Sequence, residues 1–152
     1  TADELESRGA VVVQLSEETQ SRLRELMDRG VIPPISAVAN PVDVTGSATD
    51  DAFVESLRIL LDAPEVDGVI VLPLHHVPGL TSDLPDRIAA EVRERGDKPV
   101  LVADIGQGEY GIAYRERFDE LGIPAYPTPE RAARAMVGLI KYGEALRRVG
   151  AL

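Results

Sequence analysis

Leu61-Asp62-Ala63-Pro64-Glu65-Val66-Asp67-Gly68-Val69-Ile70-Val71-Leu72-Pro73 decides the fold of this chain. Gly68–Leu72 is short, continuously apolar and β-branched, and prolines stand on both sides of it. A strand covered on both faces shows no polar alternation, because neither side meets water. Upstream, Thr49 offers a capping hydroxyl and Asp50 and Asp51 complement a helix start. Phe53, Val54, Leu57, Leu60 and Leu61 then share one helical face. Downstream, Leu84, Ile88, Ala89 and Val92 form another helical face that ends near Gly96, and Pro99–Ala103 is a second buried strand. Ile112, Tyr114, Phe118 and Leu121 line a third helix stopped by Gly122, before the short strand Ile123–Tyr126. Thr128-Pro129-Glu130 is an N-cap, an N1 proline and a first-turn acid, so a last helix runs to about Arg148.

The front of the chain follows the same grammar. Ala2–Gly9 reads as the end of a helix stopped by glycine, and Val11–Val13 as a strand. Ser16 caps a helix carrying Leu23, Leu26 and Met27, which Gly30 and Pro33-Pro34 close. Helices alternating with short buried strands give an α/β domain, mainly parallel, with helices on both faces of the sheet. The expected strands near Val11–Gln14, Val69–Leu72, Val100–Ala103 and Pro124–Tyr126 lie parallel in one flavodoxin-like sheet.

Composition narrows the function classes. The 152 residues suit one domain with a real core, built from Val, Ile, Leu and Ala because only two Phe and no Trp are present. The absence of Cys removes disulfides, thiolate metal sites and a Cys nucleophile. A net charge of −10 argues against nucleic acid and anionic membrane as partners. No apolar run approaches a membrane span and no signal segment opens the chain, so the cytoplasm is the default compartment.

Ligands of parallel α/β sheets sit where the strands end, so three loops carry the functional expectation. The first is Ala39–Thr49, with Asn40, Asp43, Thr45 and Gly46. Its small hydroxyl residues before a helix can present N–H groups to an anion. By composition the stronger reading is a capped turn in which Asn40 and Asp43 bond the backbone and Gly46 takes a positive φ. Asp50 and Asp51 disfavour a bare phosphate there, and no aromatic pair suits a flavin. The second loop, Pro73–Ser82, holds His75 and His76. Adjacent imidazoles point apart and no third ligand stands at helical spacing, so no metal site is expected. One ring could accept a phosphoryl group; both could also be plain loop residues. Thr81 or Ser82 caps the next helix, whose start at Thr81, Ser82 and Asp83 then faces the ligand edge with its positive end. The third loop, Asp104–Glu109, supplies Gly106 and Gly108. With Gly111 it completes a Gly-x-Gly-x-x-Gly spacing, yet the acidic ribose partner is missing, so it reads as cover for a neighbouring site.

Four stretches carry a resemblance. Leu15-Ser16-Glu17-Glu18-Thr19-Gln20 with Leu23-Arg24-Glu25-Leu26, and Ser36–Gly46 with its Asn-Pro-Val-Asp-Val-Thr-Gly run, are similar to the ligase domain of ADP-forming acyl-CoA ligases. Leu61–Val71 and Gly122–Ala132 continue the likeness in order. This is the acetate–CoA ligase branch of the succinyl-CoA synthetase superfamily. The resemblance implies a single ligase domain over 1–152, without the family's first strand and glycine-rich loop, since a helix is already under way at Ala2. It implies an enzyme that turns acyl-CoA, ADP and phosphate into acid, CoA and ATP through an acyl phosphate and a phosphohistidine. That histidine belongs to another domain, so no catalytic residue is expected in this chain, which alone should be inactive. This domain would offer a helix start to the phosphate and dock the CoA-binding, phosphohistidine and ATP-grasp domains, in the same chain or a partner subunit. It would bind no cofactor by itself; the full enzyme implies CoA, ADP/ATP and Mg. His75 and His76 depart from the glycines frequent in the family's second loop. The rival reading is a stand-alone flavodoxin-like module for small-ligand binding or assembly, without catalysis.

Overall fold

Three capping hydroxyls start helices as their sequence context dictates. In the computed structural model, which describes residues 1–151, Ser16 Oγ accepts the Thr19 N–H at 3.2 Å and Thr49 Oγ1 the Ala52 N–H at 3.4 Å. Thr128 Oγ1 accepts the Arg131 N–H, also at 3.4 Å. Each satisfies a donor that the first helical turn would otherwise leave open. The elements run α1 Ala2–Ser7, α2 Glu17–Asp28, α3 Asp50–Asp62, β1 Val69–Val71, α4 Leu84–Arg95, β2 Val100–Ala103, α5 Glu109–Glu120, β3 Ala125–Tyr126 and α6 Pro129–Arg148.

The sheet is parallel, in the order β1-β2-β3. Val71 pairs with Val102, and Ala103 with Tyr126. Alternation along β2 divides the core. Val100 and Val102 join Val54 and Leu57 of α3, Leu84 and Ile88 of α4, and Tyr114 and Phe118 of α5 in one cluster. Leu101, equally buried, stands outside that cluster on the opposite face. There α6 crosses all three strands and buries Ala132, Ala133, Met136 and Val137. Helices thus cover both faces, as an apolar parallel sheet requires. A second cluster, with Leu23 and Leu26 of α2, Ile32, Val44 and Ile59, packs α2 onto the outer side of α3.

Two expectations fail. Val11–Gln14 forms no strand: Val11 is 84% exposed, and the Val13 carbonyl takes the Asn40 amide at 2.9 Å instead of a ladder partner. β-branched residues favour extended backbone, but a strand needs a neighbour to pair with. In α5 the inward face is Gly111, Tyr114 and Phe118, leaving Ile112 exposed. Among the described residues no helix is long and apolar enough to cross a membrane.

Ion pairs brace the outer helices. Arg58 of α3 clasps Glu91 of α4 through 3.0 and 2.6 Å bonds, and Arg95 adds a third at 2.7 Å. Arg95 and Arg22 both reach Asp62, so α2, α3 and α4 share one network. The two-pronged Arg58 bond, working against the cost of burial, holds the Glu91 carboxyl below its ordinary range.

Candidate functional site at the carboxyl ends of the strands

Register brings the second and third loops together. Because Val71 stands beside Val102, the chain leaving β1 and the chain leaving β2 emerge as neighbours. Asp104, the first residue after β2, is wholly buried and meets the imidazole of His75: Asp104 Oδ2 is hydrogen-bonded to His75 Nδ1. Its other oxygen accepts the Gly106 N–H at 3.2 Å. One carboxylate therefore joins the two loops and turns its own. Arg115 of α5 clamps the turn from outside, donating to the carbonyls of Asp104 at 2.9 Å and Gly106 at 2.5 Å.

His75 lies under the start of α5. Its ring sits 5.3 Å from that of Tyr110 and 5.7 Å from that of Tyr114, centroid to centroid. A Cβ on Gly106 would fall 1.7 Å from the His75 ring, and one on Gly111 2.7 Å from it. The lack of a side chain at these two glycines allows the close approach of the loop and of α5 to the His75 ring. His75 Nε2 and the Tyr114 hydroxyl are both buried without a partner. Burial, then the charges of Asp50 and Asp104, push the Tyr114 hydroxyl well above its ordinary pKa. His76 is exposed beside a groove of about 440 Å³ lined by Leu74, Val77, Pro78, Ile105 and Gln107.

The start of α4 differs from expectation. Asp83 occupies the cap position with no side-chain cap bond, and neither Thr81 nor Ser82 is the N-cap. Asp50 of α3, buried at 5% exposure, takes the Thr81 N–H at 3.0 Å and the Thr81 hydroxyl at 2.5 Å. The Thr81 hydroxyl in turn accepts the Asp83 N–H at 3.1 Å. Two of the three backbone donors proposed for a phosphate are thus engaged within the chain. Arg87 balances the acids here, bonded to Asp51 at 2.5 Å and 3.9 Å from Asp50.

The first loop reaches this edge only through its far end, where Gly79 packs on the backbone of Ala48. Asn40 instead holds Val13, and Asp43 accepts the Thr45 N–H at 2.8 Å in a local turn. The positive φ is at Thr45, +69°, and not at Gly46. Gly46 faces open space and Gly108 stands at the cap of α5. Among the described residues no three His, Asp or Glu side chains are grouped to hold a metal.

Sequence reasoning missed Asp50 and Arg115, and treated Asp104 as loop cover. Asp50 has the signature of a solvent-facing first-turn acid, and nothing local ties it to Thr81. Only the buried apolar run before Asp104 hints that this carboxylate is enclosed.

Residues 6–149 match the Ligase-CoA domain family. The chain belongs to that family. It is 33% identical over 151 residues to the α subunit of ADP-forming acetate–CoA ligase II of Pyrococcus furiosus, covering 93% of this chain and 30% of the relative. The corresponding ligase I α subunit of the same organism is 36% identical over 117 residues, covering 74% of this chain and 24% of the relative. Among solved structures, the dinucleotide-forming acetyl-coenzyme A synthetase 1 of Ca. Korarchaeum cryptofilum, in complex with phosphate and ADP, gives a TM-score of 0.82 at 30% identity. That match covers 95% of this chain and 30% of the other. A Pyrococcus horikoshii crystal structure gives 0.81 at 34% identity, covering 92% and 32%. This member of the Ligase-CoA family therefore spans about a third of the length of the relatives it matches.

Proposed function

We propose that this domain is the phosphate-facing and docking unit of an ADP-forming acyl-CoA ligase. In the whole enzyme, phosphate displaces CoA from the acyl-CoA thioester. The resulting acyl phosphate passes its phosphoryl group to a histidine of another domain, and that histidine passes it to ADP. CoA, ADP/ATP and Mg belong to that assembly, and substrates such as ATP and CoA place it in the cytoplasm. This chain contributes Thr81, Ser82 and Asp83 at the start of α4, and the loops of His75, His76, Gly106 and Gly108 that follow β1 and β2. The observation that carries the reading is the match of 95% of this fold to an acetyl-CoA synthetase solved with phosphate and ADP.

Two features of the chain agree with a supporting part. His75 Nε2 is enclosed, so its ring is not offered as a phosphoryl carrier. Leu72, Leu74, Ile105 and Tyr110 are exposed large side chains at this same edge, the kind of surface that marks docking. The CoA-binding, phosphohistidine and ATP-grasp domains are the partners we assign to it.

The test is reconstitution. The chain alone should form no ATP from acyl-CoA, ADP and phosphate, and should take no acid-labile phosphate from ATP. Activity should appear only with the remaining domains. Acid-labile phosphate on His75 or His76 would move the nucleophile into this domain and overturn the assignment. In the complete enzyme, Asn40→Ala with Asp43→Ala should lower turnover by displacing the first loop; unchanged turnover would remove that loop from the site.

A further inference from the structure

The buried His75–Asp104 pair cannot satisfy all of its atoms in either protonation state. With His75 neutral and its Nδ1–H given to Asp104, the carboxylate is wholly buried without a full counter-charge, and Nε2 is an acceptor lacking a donor. With His75 protonated the charges balance, but Nε2–H becomes a buried donor with no acceptor. A buried donor on a charged ring costs more to leave unmade than a neutral acceptor does.

The neighbours restrict how that conflict is relieved. The Gly106 carbonyl is already held by Arg115 at 2.5 Å, as is that of Asp104 at 2.9 Å. The Tyr114 hydroxyl is buried and unpartnered, with its ring 5.7 Å from that of His75. Tyr110 covers one side, and the His76 ring stands at 3.8 Å on another, tilted by 55°. The charged and titratable groups around the ring are therefore Asp104, Asp50 through Tyr114, Arg115, His76, Tyr110 and Tyr114. Gly106 packs against this side of the ring: a Cβ there would lie 2.6 Å from Nε2. An acceptor for Nε2–H is gained by shifting this loop or by bringing the Tyr114 hydroxyl oxygen to the ring, and the loop is the element in direct contact with it.

We propose that His75 and Asp104 form a proton-dependent latch on the 104–108 loop. Without the extra proton the loop lies closed on the ring. Uptake of one proton at Nε2 shifts the loop, and with it the mouth of the groove lined by Leu74, His76, Ile105 and Gln107. The inference is independent of the ligase reading, since every group in it belongs to this chain.

The test is a side-chain and backbone NMR titration of the 152-residue chain between about pH 5 and 8, where imidazoles ordinarily change charge. The Gly106 and Gly111 amides should shift with the same midpoint as the His75 ring. His75→Gln keeps a group able to donate to Asp104 but removes the titration, so the amide response should vanish. Asp104→Asn should uncouple the amides from the ring, and His76→Gln should leave the response in place. Flat Gly106 and Gly111 amides while His75 titrates would overturn the latch. So would a His75 ring that holds one protonation state throughout, or an unchanged response in His75→Gln.

Discussion

Gly106→Ala tests the packing of the site with a single methyl group. The new Cβ would stand 1.7 Å from His75 Cε1, 2.6 Å from Nε2 and 2.7 Å from Nδ1. Carbon atoms rest about 3.5–4.0 Å apart, so the ring would have to retreat by about 2 Å. Asp104, Gly111, Tyr110 and Tyr114 block that retreat. Forced overpacking of a filled core costs about 1–3 kcal/mol. Expelling the ring instead strands the Asp104 carboxylate, which is fully buried, at about 3 kcal/mol or more. The cheaper route sets the loss at about 1–3 kcal/mol, which in a domain of this size lowers Tm by about 2–12 °C. Gly138→Ala is the matched control: it lies inside α6 with nothing within 4 Å of the added Cβ. It should gain about 0.5–1 kcal/mol, because alanine restricts the unfolded chain and suits a helix. Urea unfolding followed by far-UV circular dichroism reads both. A Gly106→Ala protein within about 0.5 kcal/mol of the parent, the range of neutral surface changes, would refute the reasoning.

Two further outcomes are expected. The Ser16 N–H, together with the Thr19 hydroxyl, brings the Glu65 carboxyl down to about 2 from its ordinary 4.5. A depressed acid stabilises the fold fully above its unfolded value and loses that contribution as pH falls towards the folded one. Glu65→Gln should therefore flatten the acid limb of stability between those values; an unaltered limb in pH-dependent melts would contradict the contact. Glu91→Ala strips the shared partner from Arg58 and Arg95 and should cost about 2 kcal/mol by the same unfolding assay. That is less than the 3–5 of a fully buried pair, because the Arg58 side chain keeps 38% of its exposure. A change below about 0.5 kcal/mol would show the network to be a solvated surface feature.

Much of the fold was legible because its signals are local. Ser16, Thr49 and Thr128 cap helices through bonds made three residues away. The apolar runs at Val69–Val71 and Val100–Ala103 are strands, as their uninterrupted apolar sequence predicts; the central Val100–Ala103 is buried throughout, and in the edge strand only Val71 is. The likeness to ADP-forming acyl-CoA ligases rests on ordered motifs, and the family match over residues 6–149 agrees with it. Val11–Gln14 was misread for the same reason that Val69–Val71 was read correctly. β-branching reports a preference for extended backbone, not the presence of a partner strand.

What the sequence by itself determined is the alternation of helices and strands, the parallel class of the sheet, and the loops that follow its strands. Only the tertiary structure decided which side chains meet at that edge. Asp50 reaches Thr81 across 31 positions and Asp104 reaches His75 across 29. The His75–Asp104 pair depends on the parallel register of β1 and β2, and the Asp50–Thr81 pair on the packing of α3 against α4. Burial then changes what the residues can do. An exposed Asp at a helix start only complements the dipole. The same carboxylate enclosed beside Tyr114 must be hydrogen-bonded, and it spends the Thr81 donors that a phosphate could have used. Periodicity cannot carry that information, because desolvation belongs to the packed structure and to no residue alone.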